Sequence, residues 1–320
     1  MAASTCAAEP GVVSPPPAPA APSAEKKPGS DWVFSLLPKS LQQNPHLELT
    51  VITEVTDEGK KRPSASAQNP VYFELYSAGF RQQGHPPGGE KTLTREDIER
   101  LLTRSLASNG FLPAEPPSKV PAIVIIYSWG SHNLLTEGDD ENPVLSSEQV
   151  ARNLLDRAAL VGGDRFAKQM LTLFEEADSF YLAAQTSTPP GSEPVFTPEL
   201  LDFTNPVNLF KRRSPKNEAL VEQAAHDVYF VVASAYDYTG MAKNQRQLLW
   251  RTRMTVASAG VSQLQTLPTL VLTAAPYFGM DMPEPEVLTR RSMRTGTVEI
   301  GTPTVVDPNV PNPKKRAPKK

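Results

Sequence analysis

The chain has 320 residues, with 32 Lys and Arg against 35 Asp and Glu for a net charge of −3, so its composition offers no global field for nucleic acid or an anionic membrane. Its one cysteine, Cys6, excludes an intrachain disulfide or a cysteine-based metal cluster, and the four histidines, His46, His85, His132 and His226, lie far apart in sequence. Neither a metal nor a cofactor is therefore expected, and no apolar run nears the roughly 20 residues needed to span a bilayer.

In chain order, residues 1–30 form a Pro/Ala-rich segment without periodicity, expected to be a disordered linker. Cys6-Ala7-Ala8 has the small-residue character of a signal-peptidase site without the charged and apolar regions that belong before it, so the segment is either a signal remnant or a cytosolic linker. Location in the periplasm or cell envelope follows from the first reading and the cytoplasm from the second. Residues 31–285 are expected to form one α+β domain, with about five strands in a mixed or antiparallel sheet and helices packed on it. Trp32, Phe34, Leu36 and Leu37 would pin the linker to it. Leu47, Leu49, Val51, Thr53 and Val55 alternate as a strand, and residues 71–80 make a second. The polar connector 56–70, with Gly59, Lys60, Lys61, Arg62 and Pro63, predicts that these two pair antiparallel through a long loop.

Thr94 caps a predicted helix over 95–109, with Asp97 at its third position, Ile98, Leu101, Leu102 and Leu106 on one face, and Gly110 as its stop. The unbroken apolar run 120–129 reads as a central strand covered on both faces. Ser146 or Ser147 starts a helix to about residue 159, and after Gly162-Gly163 a second carries Phe166, Met170, Leu173, Phe174, Ala177, Tyr181 and Ala184 on one face. Residues 189–215 read as loop with one short helix near 198–203, and 216–225 as helical. Residues 228–238 and 248–257 form a hairpin. In its second strand Leu248, Trp250, Thr252, Met254 and Val256 face the core, while Leu249, Arg251, Arg253 and Thr255 face outward, so a slip of one residue would bury two arginines. Val261, Leu264, Leu267, Leu270, Val271 and Ala274 give a closing helix, kinked or restarted at Pro268. Residues 286–320 are read as an extended basic tail ending in Lys314, Lys315, Arg316, Lys319 and Lys320. Such a tail either solubilises the chain or touches anionic polymers.

The order of elements over residues 98–111, 122–129 and 236–253 resembles small bacterial envelope lipoprotein domains of unknown function. The wording Ser35-Leu36-Leu37-Pro38-Lys39-Ser40, Asn69-Pro70-Val71-Tyr72, Leu160-Val161-Gly162-Gly163 and Leu249-Trp250-Arg251-Thr252-Arg253-Met254 is similar to a longer group of uncharacterised bacterial proteins, over most of residues 32–285. The resemblance implies an exported bacterial protein with an α+β sandwich and envelope proteins as partners. It brings no catalytic motif, and the lipobox of such lipoproteins has no counterpart here.

Three stretches carry candidate chemistry. Residues 84–92 resemble a phosphate-binding loop, but Glu90 stands between Gly89 and Lys91, and Pro86 and Pro87 remove amide donors, which leaves a plain loop as the simpler reading. Ser131, His132 and Asp139, past the end of the apolar strand, are the candidate catalytic residues of a hydrolase, although adjacent residues of an extended chain point opposite ways. The acidic segment Glu137, Asp139, Asp140 and Glu141 lacks the order of a calcium loop. Gly162-Gly163 either presents a helix amino end to an anion or is a stop followed by an Asp164 cap. Asp237, Arg251 and Arg253, with Tyr236 and Tyr238, are the candidate binding residues of a polar groove, or else pair across strands on a wet sheet face. The leading expectation is a non-enzymatic, exported envelope interaction or assembly component. Its alternatives are an enzyme at Ser131 and His132 and a cytosolic binder of anionic polymers through the tail.

Overall fold

The computed structural model describes residues 45–84, 91–135, 147–186, 202–203 and 205–291. Asp139 with its acidic neighbours, most of the 84–92 loop, the linker and the basic tail lie outside them. The strands are β1 (His46–Val55), β2 (Val71–Gln83), β3 (Phe111–Pro113), β4 (Ile123–His132), β5 (Val228–Asp237), β6 (Leu248–Ala257) and β7 (Glu286–Arg291). The helices are α1 (Asp57–Lys60), α2 (Arg95–Ala107), α3 (Ser147–Thr186), α4 (Pro206–Arg212), α5 (Pro215–Ala224), α6 (Tyr238–Ala242) and α7 (Gln263–Thr273). None of the described helices is long and apolar enough to cross a membrane.

The fold is α+β around one mixed sheet of seven strands in the order β3-β2-β4-β5-β6-β1-β7, two more than the expected five. The additional strands are β3, only three residues long, and β7, a charged edge strand whose residues stay half-buried or exposed. Short and charged edges protect a sheet from pairing with other chains, and for the same reason they carry no apolar alternation to read. Residues 286–291, grouped by composition with the tail, thus pair with β1 from Glu286 opposite Val51 to Arg291 opposite His46.

The expected hairpin of β1 and β2 does not form. β1 lies between β6 and β7, antiparallel to both, whereas β2 runs parallel to β3 and β4 at the far side of the sheet. Leu49 and Val51 on one face of β1 and Thr50 and Ile52 on the other are all buried, so β1 is covered by packed elements on both faces. The parallel pairings of β2 require a crossover, and α2 belongs to it. Thr94 caps α2 by accepting the Asp97 amide at 3.2 Å, while its hydroxyl donates to the Asp97 carboxylate at 2.8 Å. Ile98, Leu102 and Leu106 are fully buried against the sheet.

Alternate residues of β4 and β5 (Ile123, Ile125, Tyr127 and Trp129; Tyr229, Val231, Ala233 and Ala235) join α2 and α7 in one apolar cluster. α7 runs through Pro268 without restarting. The opposite face is also covered: α3, α4 and α5 build a second cluster from Ala158, Val161, Phe166, Met170, Phe210, Leu220 and Ala224 with Val228 of the sheet. This second layer corrects the expected wet face of β6. Arg253 and Thr255 are 5% and 0% exposed, Leu249 at 3% joins the first cluster instead, and only Arg251 of the four expected outward residues is half-buried. Arg253 is buried in the native register and tolerated because two carboxylates meet it.

Those carboxylates explain the bend in α3. Gly163, at φ 81°, breaks the helix into two stretches, and the amide of Asp164 then donates to the Glu54 carboxylate at 3.0 and 3.2 Å. Glu54 and Asp164 both pair with Arg253, the latter at 2.5 Å. The amino end opened by Gly162-Gly163 is therefore occupied by a carboxylate of the chain itself, across 110 residues of sequence. A Cβ at Gly163 would lie 2.9 Å from the Glu54 carboxyl carbon at a backbone angle that disfavours side chains. Gly163→Ala is expected to cost about 1–3 kcal/mol, read as a lowered urea midpoint at unchanged m-value.

The strand directions sort the ends of the sheet. His46, His132, Val228, Ala257 and Arg291 lie at one end, and Val55, Ile123, Asp237 and Leu248 at the other, about 30 Å away. Among the described residues, the first strand begins and the last strand ends at the first end.

Candidate functional site

At the second end, the turn after β1 builds a cavity. Thr56 accepts the Gly59 amide at 3.1 Å to cap α1 and donates its own hydroxyl to the Leu248 carbonyl at 2.7 Å, fastening the turn onto β6. Gly59 lies so close to the Leu249 carbonyl that a side chain has no room there. The chain then passes through Lys60, Arg62, Pro63, Ser64 and Ala65 around a cavity of about 330 Å³. Its apolar wall is formed by Val55, Val71, Phe111, Ile123, Leu249 and Trp250. Phe111 and Trp250 pack with ring centroids 5.6 Å apart, and Phe278 supports Trp250 from behind at 6.2 Å. Gly279, at φ 73°, brings its backbone against this aromatic pair, where a Cβ would lie 2.9 Å from the Phe111 ring. An apolar cleft with a few convergent polar groups is the form small-molecule sites take.

The polar groups are two ion pairs on the rim. Arg62 pairs with Asp237, and Lys60 with Asp281 at 2.8 Å. Asp237 is 5% exposed, and its second oxygen accepts the Thr239 hydroxyl at 2.5 Å and the Gly240 amide at 2.7 Å, capping α6. Burial pushes its carboxyl up, but these two donors and the Arg62 guanidinium outweigh that and hold it below the ordinary carboxylate range. The Lys60 ammonium holds the Asp281 carboxyl low, helped by the Val55 amide. The carboxylates are thus engaged by the fold. Arg62, with its side chain 41% exposed, donates a single guanidinium N–H to Asp237, and its guanidinium makes no other hydrogen bond among the described residues.

The expected groove does not assemble from its three candidates. Asp237 pairs with Arg62 of the cavity rim. Arg251 donates to the Ser234 hydroxyl at 3.0 Å on the neighbouring strand, a cross-strand contact between directly opposed residues. Arg253 is committed to Glu54 and Asp164 under α3.

The other candidates lie at the opposite end of the sheet. Ser131 and His132 are 3% and 2% exposed, adjacent in β4, and paired in register with Tyr229 and Val228 of β5. No hydrogen bond joins them, because both His132 ring nitrogens lack a partner. Burial, with Arg157 beside it, pulls the imidazole down to about 4 against the opposing charges of Asp156 and Asp227. A neutral imidazole of that pKa is a weak base at neutral pH. Next to it Arg157, 1% exposed, donates from Nε to the Ala224 carbonyl at 2.7 Å and from a terminal nitrogen to the Asn133 carbonyl at 3.2 Å and the Asn153 side chain. No group of three or more metal-ligating side chains occurs among the described residues.

No protein-family model matches this chain, and no curated protein is significantly similar to it. The cavity is therefore argued from its own residues. Sequence reading placed Trp250 in the core and Arg62 in a connector. Nothing in the connector points to Asp237, 175 residues further on, and only the meeting of the two chain segments makes Arg62 a rim residue.

Proposed function

We propose that the protein is a non-enzymatic binding component of a bacterial cell envelope, working through the cavity beside Trp250 and Phe111. The observation that carries this reading is a partly open apolar space of about 330 Å³ whose rim offers paired cations. The alternative hydrolase site draws less support, since His132 lacks a hydrogen bond to Ser131. The envelope location rests on the Pro/Ala-rich segment and on the resemblance to exported bacterial proteins. Among the described residues, the first strand begins at His46 and the last ends at Arg291, both at the end away from the cavity.

Two experiments test the two halves of this reading. Fractionation of the native host with mass spectrometry of the mature amino terminus is expected to place the protein in the periplasmic or outer fraction, and recovery of an intact Met1 chain from the cytosol overturns the location. For the cavity, Ala122→Trp introduces a large ring at an exposed lining position just before β4. It is expected to reduce binding of small apolar probes at least tenfold while moving the melting temperature by no more than a few degrees, because the site is outside the packed core. Unchanged probe binding in a folded Ala122→Trp protein removes the cavity from the account.

A further inference from the structure

We propose that the cavity takes a small organic monocarboxylate, its apolar body against Trp250 and Phe111 and its carboxylate on the free edge of Arg62. This rests on the reading of the cavity as a binding site and names the chemistry of its ligand. The first part of the argument is the balance of donors and acceptors at the mouth. The carboxylates paired with the rim cations are both already engaged: Asp237 by Arg62, Thr239 and Gly240, and Asp281 by Lys60 and the Val55 amide. Both rim cations keep donors in reserve. An ammonium has three N–H groups and a guanidinium five, and among the described residues Arg62 uses one. The mouth therefore offers donors to a ligand and few acceptors, although its formal charges cancel.

The second part is orientation. Asp237 is buried, held by a helix cap and by its strand, so it fixes the guanidinium from one side. The planar fork of Arg is then presented already ordered, which reduces the entropy lost on binding a planar two-oxygen group. A single carboxylate matches the two parallel donors that one edge of a guanidinium presents. The third part is size. At the packing density of protein interiors, about 330 Å³ accommodates a body of roughly a dozen non-hydrogen atoms, and the aromatic walls favour a flat or unbranched one.

The test compares two probes on the full chain, 4-phenylbutyrate and its neutral counterpart 4-phenyl-1-butanol, titrated by amide and indole NMR with Trp250 as reporter. The carboxylate is expected to bind about tenfold more tightly than the alcohol, with shifts at Trp250, Phe111 and the Arg62 side chain, and Arg62→Gln is expected to abolish that preference. The glutamine retains a donor for Asp237, and thermal unfolding checks that the variant is folded. Should it fail to fold, the ratio of the two affinities in the native protein still decides. Equal affinity for both probes overturns carboxylate recognition and leaves the cavity as a neutral site, whereas the absence of Trp250 shifts with either probe overturns this proposal and the cavity reading together.

Discussion

Replacing Arg157 by alanine is expected to lower the stability of the domain by about 3–5 kcal/mol, among the largest effects of any single substitution. The side chain is 1% exposed and ties three elements together: α3, which carries it; the last residue of α5, whose Ala224 carbonyl accepts from Nε at 2.7 Å; and the exit of β4 at Asn133. Burial pulls the guanidinium pKa below its ordinary value, and Asp227 and Asp156 push the other way. Removing the side chain leaves a void and strips the charged donors from the carbonyls they meet. Arg157→Met separates these effects. It fills most of the volume and removes the desolvated charge while leaving the carbonyls unserved, and a smaller loss of about 1–3 kcal/mol is expected. Equilibrium urea unfolding at constant m-value reads both. A Met variant as damaging as the Ala variant would assign the whole effect to the lost hydrogen bonds.

The second large effect is a dependence on pH at His132. Its pKa is pulled from 6.5 to about 4 by burial and by Arg157, so between those values the unfolded chain takes up a proton that the folded chain refuses. The contribution to stability is complete above about pH 6.5, declines as the pH falls, and is gone below about 4. The shift corresponds to roughly 3 kcal/mol. His132→Leu is expected to remove this slope. At pH 7 the variant should be as stable as the parent or slightly more so, since the two ring nitrogens it deletes are buried without partners. At pH 4 it should exceed the parent by about 3 kcal/mol. The carboxyls held low, including Asp237, Asp281 and Glu99, lose their share mainly at lower pH in both proteins, so the difference isolates the histidine. A parallel pH profile for parent and variant would refute the buried neutral imidazole. Retention of any activity assigned to the protein in His132→Leu would exclude the hydrolase alternative.

The two ends of the sheet therefore differ in kind. At the His132 end, polar groups are sealed beneath α3 and α5 and serve cohesion, as Arg157 does. At the opposite end, the cap on α1, the glycine at 59 and the backbone of Gly279 hold an apolar space open beside two paired cations. Rigid walls and ordered donors reduce the cost of binding a partner, which makes that end the place for recognition.

Local periodicity determined much of the fold. The alternation in β1 and β6, the cap and apolar stripe of α2, the unbroken run of β4 and the glycine break in α3 each follow from interactions within a few residues, so they are legible in one dimension. Strand order was not legible, because any alternating strand offers the same backbone donors and acceptors to any neighbour. β1 pairs with β6 and β7 from the far part of the chain, Leu49 standing opposite both Val256 and Leu288. The second helical layer likewise turned Arg253 from an expected surface charge into a buried one, through Glu54 and Asp164 brought from distant segments. The cavity depended on tertiary structure entirely. Arg62 and Asp237, Lys60 and Asp281, and Phe111 and Trp250 are unremarkable where they stand in the chain, and they become a site when packing sets them a few ångströms apart.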